Sequence, residues 1–418
     1  MRIDRIDIDN FCGFVHGEFR FSPGFNLLVG VNGSGKSSLL QALAVGLQPL
    51  LRHVAAPAAC QPQARVALLE SGGRVRHERC YPVRLSLAAE LAGSACAWVL
   101  EMSGPGCAWQ DSGEAPDLAS WVREARTLPL IACYPAERHW RLPQVSADSA
   151  MRQQESRLHG YQDWRDAAAD TRGLESWVIG KTLERLEAVA MGDATAAADE
   201  LERVNQVIRL AMPGARGLRF DLKYRQLMLD WTQAACAPFD TLSDGQRGMV
   251  ALLADIARRM CLLNPQLGDA VLSDTPGVVL IDELDLHLHP AWQRRLPGVL
   301  KRAFPRVQFI AASHSPQMIG ELPFDEIWLM RDNQALGHPE HALGLSSNQV
   351  LEQLMDSAPR NPRIDEALRE IDQLIDADHI GDAQTRLDTL ADEVGQIPEV
   401  VGAQSAIDTL RWLEDDPA

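Results

Sequence analysis

Residues 30–37 of this chain read GVNGSGKS, the spacing G-x-x-x-x-G-K-[ST]. Glycines at these positions let backbone N–H groups close around phosphate oxygens, and a helix starting at the lysine adds positive potential at its N-terminus. On this reading Gly30, Asn32, Gly33, Ser34, Gly35, Lys36, Ser37 and Ser38 hold the phosphates of a nucleoside triphosphate. The Lys36 ammonium reaches the β- and γ-phosphates, and the Ser37 hydroxyl ligates Mg²⁺. A second stretch, GVVLIDELDLHLHP (277–290), is an apolar run that ends in acids. It predicts a buried parallel strand delivering Asp282 and Glu283 to its carboxyl end, where α/β sheets bind ligands. Asp282 would hold Mg²⁺ through water, and Glu283 would orient and polarise the attacking water. In VQFIAASHSP (307–316) a further apolar strand ends at His314, placed to donate to a γ-phosphate.

TLSDGQRG (241–248) is a different kind of loop. Ser243 and the amides of Gly245 and Gln246 would stand at the N-terminus of a helix running to about 262, a second anion-binding surface. The first loop already encloses the phosphates, so this one has no phosphate of its own to bind. His287 and His289, alternating before Pro290, fit a loop rather than a metal site.

These residues need elements to place them. FNLLVG (25–30) reads as a short buried strand and residues 35–51 as a helix, so the first loop joins a strand to a helix. Residues 2–9 and 14–21 alternate like strands, 64–102 contain further strand-like runs, and 128–140 reads as a buried strand running into a turn. From 146 to 213 the pattern is polar and helical, followed by the strand candidates LRFDLK and QLMLDW. Only helical patterns follow residue 340. The fold class expected is α/β, a mixed sheet flanked by helices, with an inserted helical lobe and an all-helical C-terminal extension. The expected divisions are 1–145 and 214–340 for two parts of one nucleotide-binding domain, 146–213 for the lobe and 341–418 for an acidic tail.

Composition narrows the classes. The 418 residues are 46% hydrophobic and 23% charged, as in globular proteins. No signal-peptide core or membrane-length apolar run is evident, so a soluble, cytoplasmic protein is expected. Eight scattered cysteines without a C-x-x-C pair read as reduced, mostly buried thiols. The net charge of −17 argues against a constitutive nucleic-acid coat protein. Residues 341–418 carry −12 of it, with five arginines and no lysine against seventeen acids.

Taken in order, GVNGSGKS, LSDGQ, VVLIDE, LHLHP and SHSP resemble the ABC-type ATPase heads of the RecF, SMC and overcoming-lysogenization class. The sequence from GVVLID to ASHSPQ, YPAERHW and the tail beginning LGLSSNQVLEQLM are similar to compact bacterial anti-phage ATPases, the Septu type and its retron-associated relatives. The resemblance implies ATP and Mg²⁺ as cofactors and Glu283 and His314 as catalytic residues. It also implies a homodimer in which the Ser243 loop caps the ATP of the neighbouring subunit. A separate HNH-type nuclease is the implied partner, with any nucleic-acid contact made through that complex; a RecF-like clamp acting on DNA directly is the alternative. Asp244 stands where the general pattern has glycine, and LNPQLGDAVLSDTPG lengthens the path from the loop to Asp282. The coupling glutamine of the class has no evident counterpart; Glu137 and Arg138 lie near its expected place.

Overall fold

Three apolar runs, Phe25–Val29, Gly277–Ile281 and Val307–Ala312, are buried at every residue in the computed structural model of the protein. That model describes residues 1–56, 63–71, 74–138, 140, 156–192, 199–358 and 360–415. Burial on both faces suits parallel strands covered by helices, and each fully buried Val, Leu, Ile or Phe contributes about 1.5–3 kcal/mol. The six-stranded sheet runs Gln334–Gly337, Ile327–Arg331, Phe25–Val29, Val307–Ala312, Gly277–Ile281, Leu130–Tyr134. All neighbours are parallel except Gln334–Gly337, which pairs antiparallel at one edge. The five parallel strands therefore end on one side, and the first loop, Asp282, Glu283 and His314 each follow one of those ends, whereas the Ser243 loop follows a strand of a separate three-stranded sheet.

The sequence reading did not anticipate Ile327–Arg331 or its hairpin partner. The two-residue turn between them, Asp332 and Asn333, has φ of 49° and 58°. Positive φ at both positions matches the tight turns whose twist suits a hairpin, and Asp and Asn tolerate it better than most residues.

A second, antiparallel sheet runs His16–Arg20, Arg2–Asp9, Val83–Leu91, Ser94–Met102, Gln110–Gly113. Along Val83–Leu91 every second residue is buried, the pattern of a sheet with one face on a core. Gln308, itself buried, ties this sheet to the parallel one: its amide accepts from Ile3 N at 2.7 Å and donates to Ile3 O at 2.9 Å and Ser22 O at 2.8 Å.

The helix Asp244–Leu263 is buried almost throughout beyond Val250, as expected of a helix at the centre of its domain. The inserted helical lobe packs on it, with helices Thr171–Ala190 and Glu200–Ala211 capped by the side chains of Asp170 and Asp199. Residues 146–155 and 193–198 of the lobe, and His139 of YPAERHW, lie outside the described residues. The lengthened stretch before Asp282 folds as a 3₁₀ turn, Pro265–Ala270, and a short helix, Val271–Asp274.

The chain divides into two compact units, Met1–Ser347 and Asn348–Ala418. The second contains the helices Pro362–Asp376, Ile380–Val394 and Pro398–Asp415 around its own apolar core, which includes Leu368, Ile371, Leu387, Leu390 and Ile407. No described helix in either unit is long and apolar enough to cross a membrane.

Candidate active site

The first loop turns on two glycines in the left-handed region, Gly33 at φ 80° and Gly35 at φ 101°. Gly30 is required for another reason: a Cβ there would lie 2.2 Å from the Met330 carbonyl. The helix Lys36–Gly46 begins directly after the loop with no side chain capping it, so its N-terminal amides are left for a ligand. The buried Lys36 Nζ donates to Gly30 O at 2.9 Å and Val31 O at 3.0 Å. Burial lowers the pKa of that ammonium, while Asp282, Asp285 and Glu283 favour its charge. An anionic phosphate arriving at Lys36 would offset the cost of that burial by favouring the charged ammonium.

The carboxyl ends of the other strands close around this loop. One cavity of about 180 Å³ is lined by Asn32, Gly33, Gly35, Lys36, Ser37 and Ser38, by Asp282 and Glu283, by Ala312 and His314, and by Asn333. Asp282 is anchored by its N–H to Tyr134 O at 2.8 Å, and its carboxylate accepts from Glu283 N at 3.1 Å. The backbone N–H of His314 donates to Asp285 Oδ1 at 3.4 Å. Burial and then Lys36 lower the His314 pKa, against the carboxylates of Asp285, Glu283 and Asp282, so its neutral imidazole is favoured in the free protein. Ser37 and Asp282 offer only oxygen donors and also share a larger adjoining cavity of about 720 Å³. A hard divalent cation such as Mg²⁺ fits that donor set. A bound Mg²⁺ would neutralise phosphate charge; the remaining chemistry falls to Lys36, Glu283 and His314.

The Ser243 loop stands apart. Ser243 is exposed and caps the helix Asp244–Leu263 in a reciprocal arrangement, its Oγ accepting from Gln246 N at 3.3 Å while Gln246 Oε1 accepts from Ser243 N at 3.2 Å. Gly245 is buried with a Cβ position only 2.3 Å from the His287 carbonyl, so the segment after Glu283 packs on the start of this helix. Among the described residues, the 180 Å³ cavity is lined by none of Ser243, Gly245 or Gln246.

Neither neighbouring histidine joins a cluster. His289 Nδ1 accepts from Ala291 N at 3.2 Å and caps the helix Pro290–Ala303, and His287 sits exposed at φ 59°. Among the described residues no group of three His, Cys, Asp or Glu could hold a metal ion.

One site residue, Asn333, has no counterpart in the sequence reading. Asn333 N donates to Ser34 O at 3.1 Å, and its side chain packs over Gly35, whose Cβ would lie 2.8 Å from Asn333 Oδ1. The Asp-Asn turn after an apolar run was the available signal. Arg138, which the sequence places near the expected position of the coupling glutamine, lies against the Asp282–Glu283 turn.

The geometry agrees with what the chain is similar to. A family model described as "AAA domain, putative AbiEii toxin, Type IV TA system" matches residues 154–320, and one described as "AAA domain" matches residues 5–52. The chain is 33% identical over 220 residues to the Retron Ec83 probable ATPase of Escherichia coli, covering 51% of this chain and 40% of that protein. It is 30% identical over 164 residues to the Septu protein PtuA of Bacillus thuringiensis, covering 36% and 41%. It thus spans about two fifths of the length of these relatives. Among solved structures, an SMC head bound to the C-terminal winged-helix domain of ScpA superposes with a TM-score of 0.48 at 14% identity, covering 82% of this chain and 99% of that one. The relatives bear out the RecF, SMC and overcoming-lysogenization class read from the five motifs, and the α/β fold is as expected.

Proposed function

We propose that this chain, which shares the class of the retron, Septu and RecF ATPases, hydrolyses ATP with Mg²⁺ and acts as an ATP-dependent homodimer that gates a partner nuclease in anti-phage defence. The observation that carries the hydrolytic reading is the convergence of Lys36, Ser37, Asp282, Glu283 and His314 on one cavity. In this reading the loop amides and Lys36 bind the phosphates, and Ser37 and Asp282 hold the cation. Glu283 draws a proton from water in line with the γ-phosphate, and His314 contacts the γ-phosphate oxygens. The dimer is supported by Ser243, an exposed helix-capping residue whose loop lies outside its own subunit's cavity. The nuclease partner, of HNH type, is inferred from the relatedness to the retron and Septu proteins.

Steady-state ATP turnover tests the first part. Glu283→Gln should keep nucleotide binding and lose about 10²-fold or more in rate, because it removes the general base. Lys36→Ala should weaken nucleotide binding itself. Turnover of Glu283→Gln near the wild-type rate would overturn the assignment of the base. The partner is tested by affinity purification of the Glu283→Gln protein with ATP from its native host. Recovery of an HNH nuclease is the expected result, and recovery of DNA alone would favour a RecF-like clamp.

A further inference from the structure

Glu283 is the residue after the strand Gly277–Ile281 and Asp282, and its backbone is left-handed, with φ 45°. A glutamate has no side-chain bond of its own that favours this conformation, unlike asparagine or aspartate, so surrounding contacts must hold it. Arg138 supplies them. Its Nη1 donates to the Asp282 carbonyl and, at 3.0 Å, to the Pro135 carbonyl; its Nη2 donates to the Glu283 carbonyl at 2.8 Å. The planar guanidinium thus spans two successive carbonyls of the turn and anchors them to the segment after Tyr134. The Asp282 N–H donates back to Tyr134 O at 2.8 Å, closing the attachment from the other side. No ion pair joins Arg138 to the carboxylate of Asp282 or Glu283 among the described residues, so both carboxylates remain available to water and cation.

We propose that Arg138 is a positioning residue for hydrolysis: by fixing the carbonyls of Asp282 and Glu283 it sets the direction in which both carboxylates enter the cavity. The role rests on the reading of Glu283 as the general base. Arg138 itself touches neither phosphate nor water in this role, and it is absent from the lining of the 180 Å³ cavity. Lysine is a poor replacement, because its single rotating ammonium does not reproduce the rigid plane in which two separate nitrogens of Arg138 meet the two carbonyls.

The test compares wild type, Arg138→Ala, Arg138→Lys and Glu283→Gln in three measurements: ATP turnover, nucleotide affinity with EDTA present, and amide hydrogen exchange of the metal-free protein. Misplacement of a reacting group by about 1 Å costs on the order of 10²-fold. Arg138→Ala should therefore lose about 10- to 100-fold in kcat, with metal-free nucleotide affinity within about 3-fold of wild type. Exchange across 282–286 should rise in Arg138→Ala, and millimolar guanidinium should restore part of its turnover. Arg138→Lys should stay well below wild type. Wild-type turnover and exchange in Arg138→Ala would overturn the proposal, as would a parallel loss of turnover and metal-free affinity that guanidinium does not reverse. If Arg138→Ala does not fold, Arg138→Lys decides: near-wild-type turnover contradicts the clamp, and low turnover with intact metal-free affinity supports it. Glu283→Gln separates the two readings. Should it keep full turnover, the base assignment fails; should it be inactive while Arg138→Ala is fully active, the clamp alone fails.

Discussion

His314 sits where burial and the Lys36 ammonium oppose its protonation, and three nearby carboxylates only partly offset them. In the nucleotide-free protein it should titrate below the ordinary value of about 6.5, a result that histidine NMR resonances followed through a pH series would give directly. The sign for stability follows. Above about 6.5 the group is neutral both folded and unfolded and has no effect, whereas below it the unfolded chain takes the proton first. Stability should thus fall as pH drops from there through the folded value, and His314→Ala should flatten that part of the curve. Gly245 is just as tightly constrained. A methyl group there would lie 2.3 Å from the His287 carbonyl, a backbone atom that cannot swing aside. Gly245→Ala should cost about 1–3 kcal/mol in denaturant unfolding through overpacking. It should also reduce turnover, since the displaced segment begins at Leu284, beside Glu283. The residues legible in the sequence share one property: Lys36, Asp282, Glu283 and His314 each stand just beyond an apolar run that marks a buried strand. Arg138 and Asn333 also follow apolar runs, but their roles were not legible, because their partners are the backbone carbonyls of Asp282, Glu283 and Ser34. A carbonyl leaves no trace in residue type.

At the scale of elements, the helix Asp244–Leu263 is held by charges in its core. Asp255, Arg258 and Arg259 are all buried. Arg259 Nε donates to Asp255 at 2.7 Å, Arg258 Nη2 to Asp255 at 2.7 Å and to Asp170 at 2.6 Å, and Tyr134 OH to Asp255 at 2.9 Å. Arg259 also donates to the carbonyls of Gly160, Gln162 and Ala167. One cluster therefore joins the helix that begins at Ser243, the strand Leu130–Tyr134 that leads to Arg138, and the helical lobe. Burial alone would raise the Asp255 pKa, but Arg259 and Arg258 outweigh it and keep the carboxylate charged. Removing one partner strands an opposite charge in the interior, so Asp255→Leu or Arg259→Leu should each destabilise by about 3–5 kcal/mol. The double variant should lose less than the sum of the two in urea unfolding. Additive losses would mean that the cluster does not act as a unit. The apolar spacing of residues 245–262 predicted the helix but not this cluster, since a DIARR run on an amphipathic helix reads as a solvated face.

At the scale of the whole molecule, residues Asn348–Ala418 form a unit with its own core, whose acidic surface holds much of the chain's negative charge. A chain ending at Ser347 should bind ATP within about 2-fold of the full chain, and it should lose partner binding if this unit is the docking module of the proposed complex; unchanged partner capture would exclude that role. In the proposed dimer each ATP is enclosed by Lys36 of one subunit and Ser243 of another. Lys36→Ala and Ser243→Arg proteins, each inactive alone, test it when mixed in equal amounts and allowed to exchange. Half the dimers would then be mixed, each with one intact composite site, so ATP turnover should return to about a quarter of wild type. Recovery to that level is expected of a shared site. No recovery, together with Glu283→Gln dimers that form equally well without ATP and with Ser243→Arg added, would contradict it.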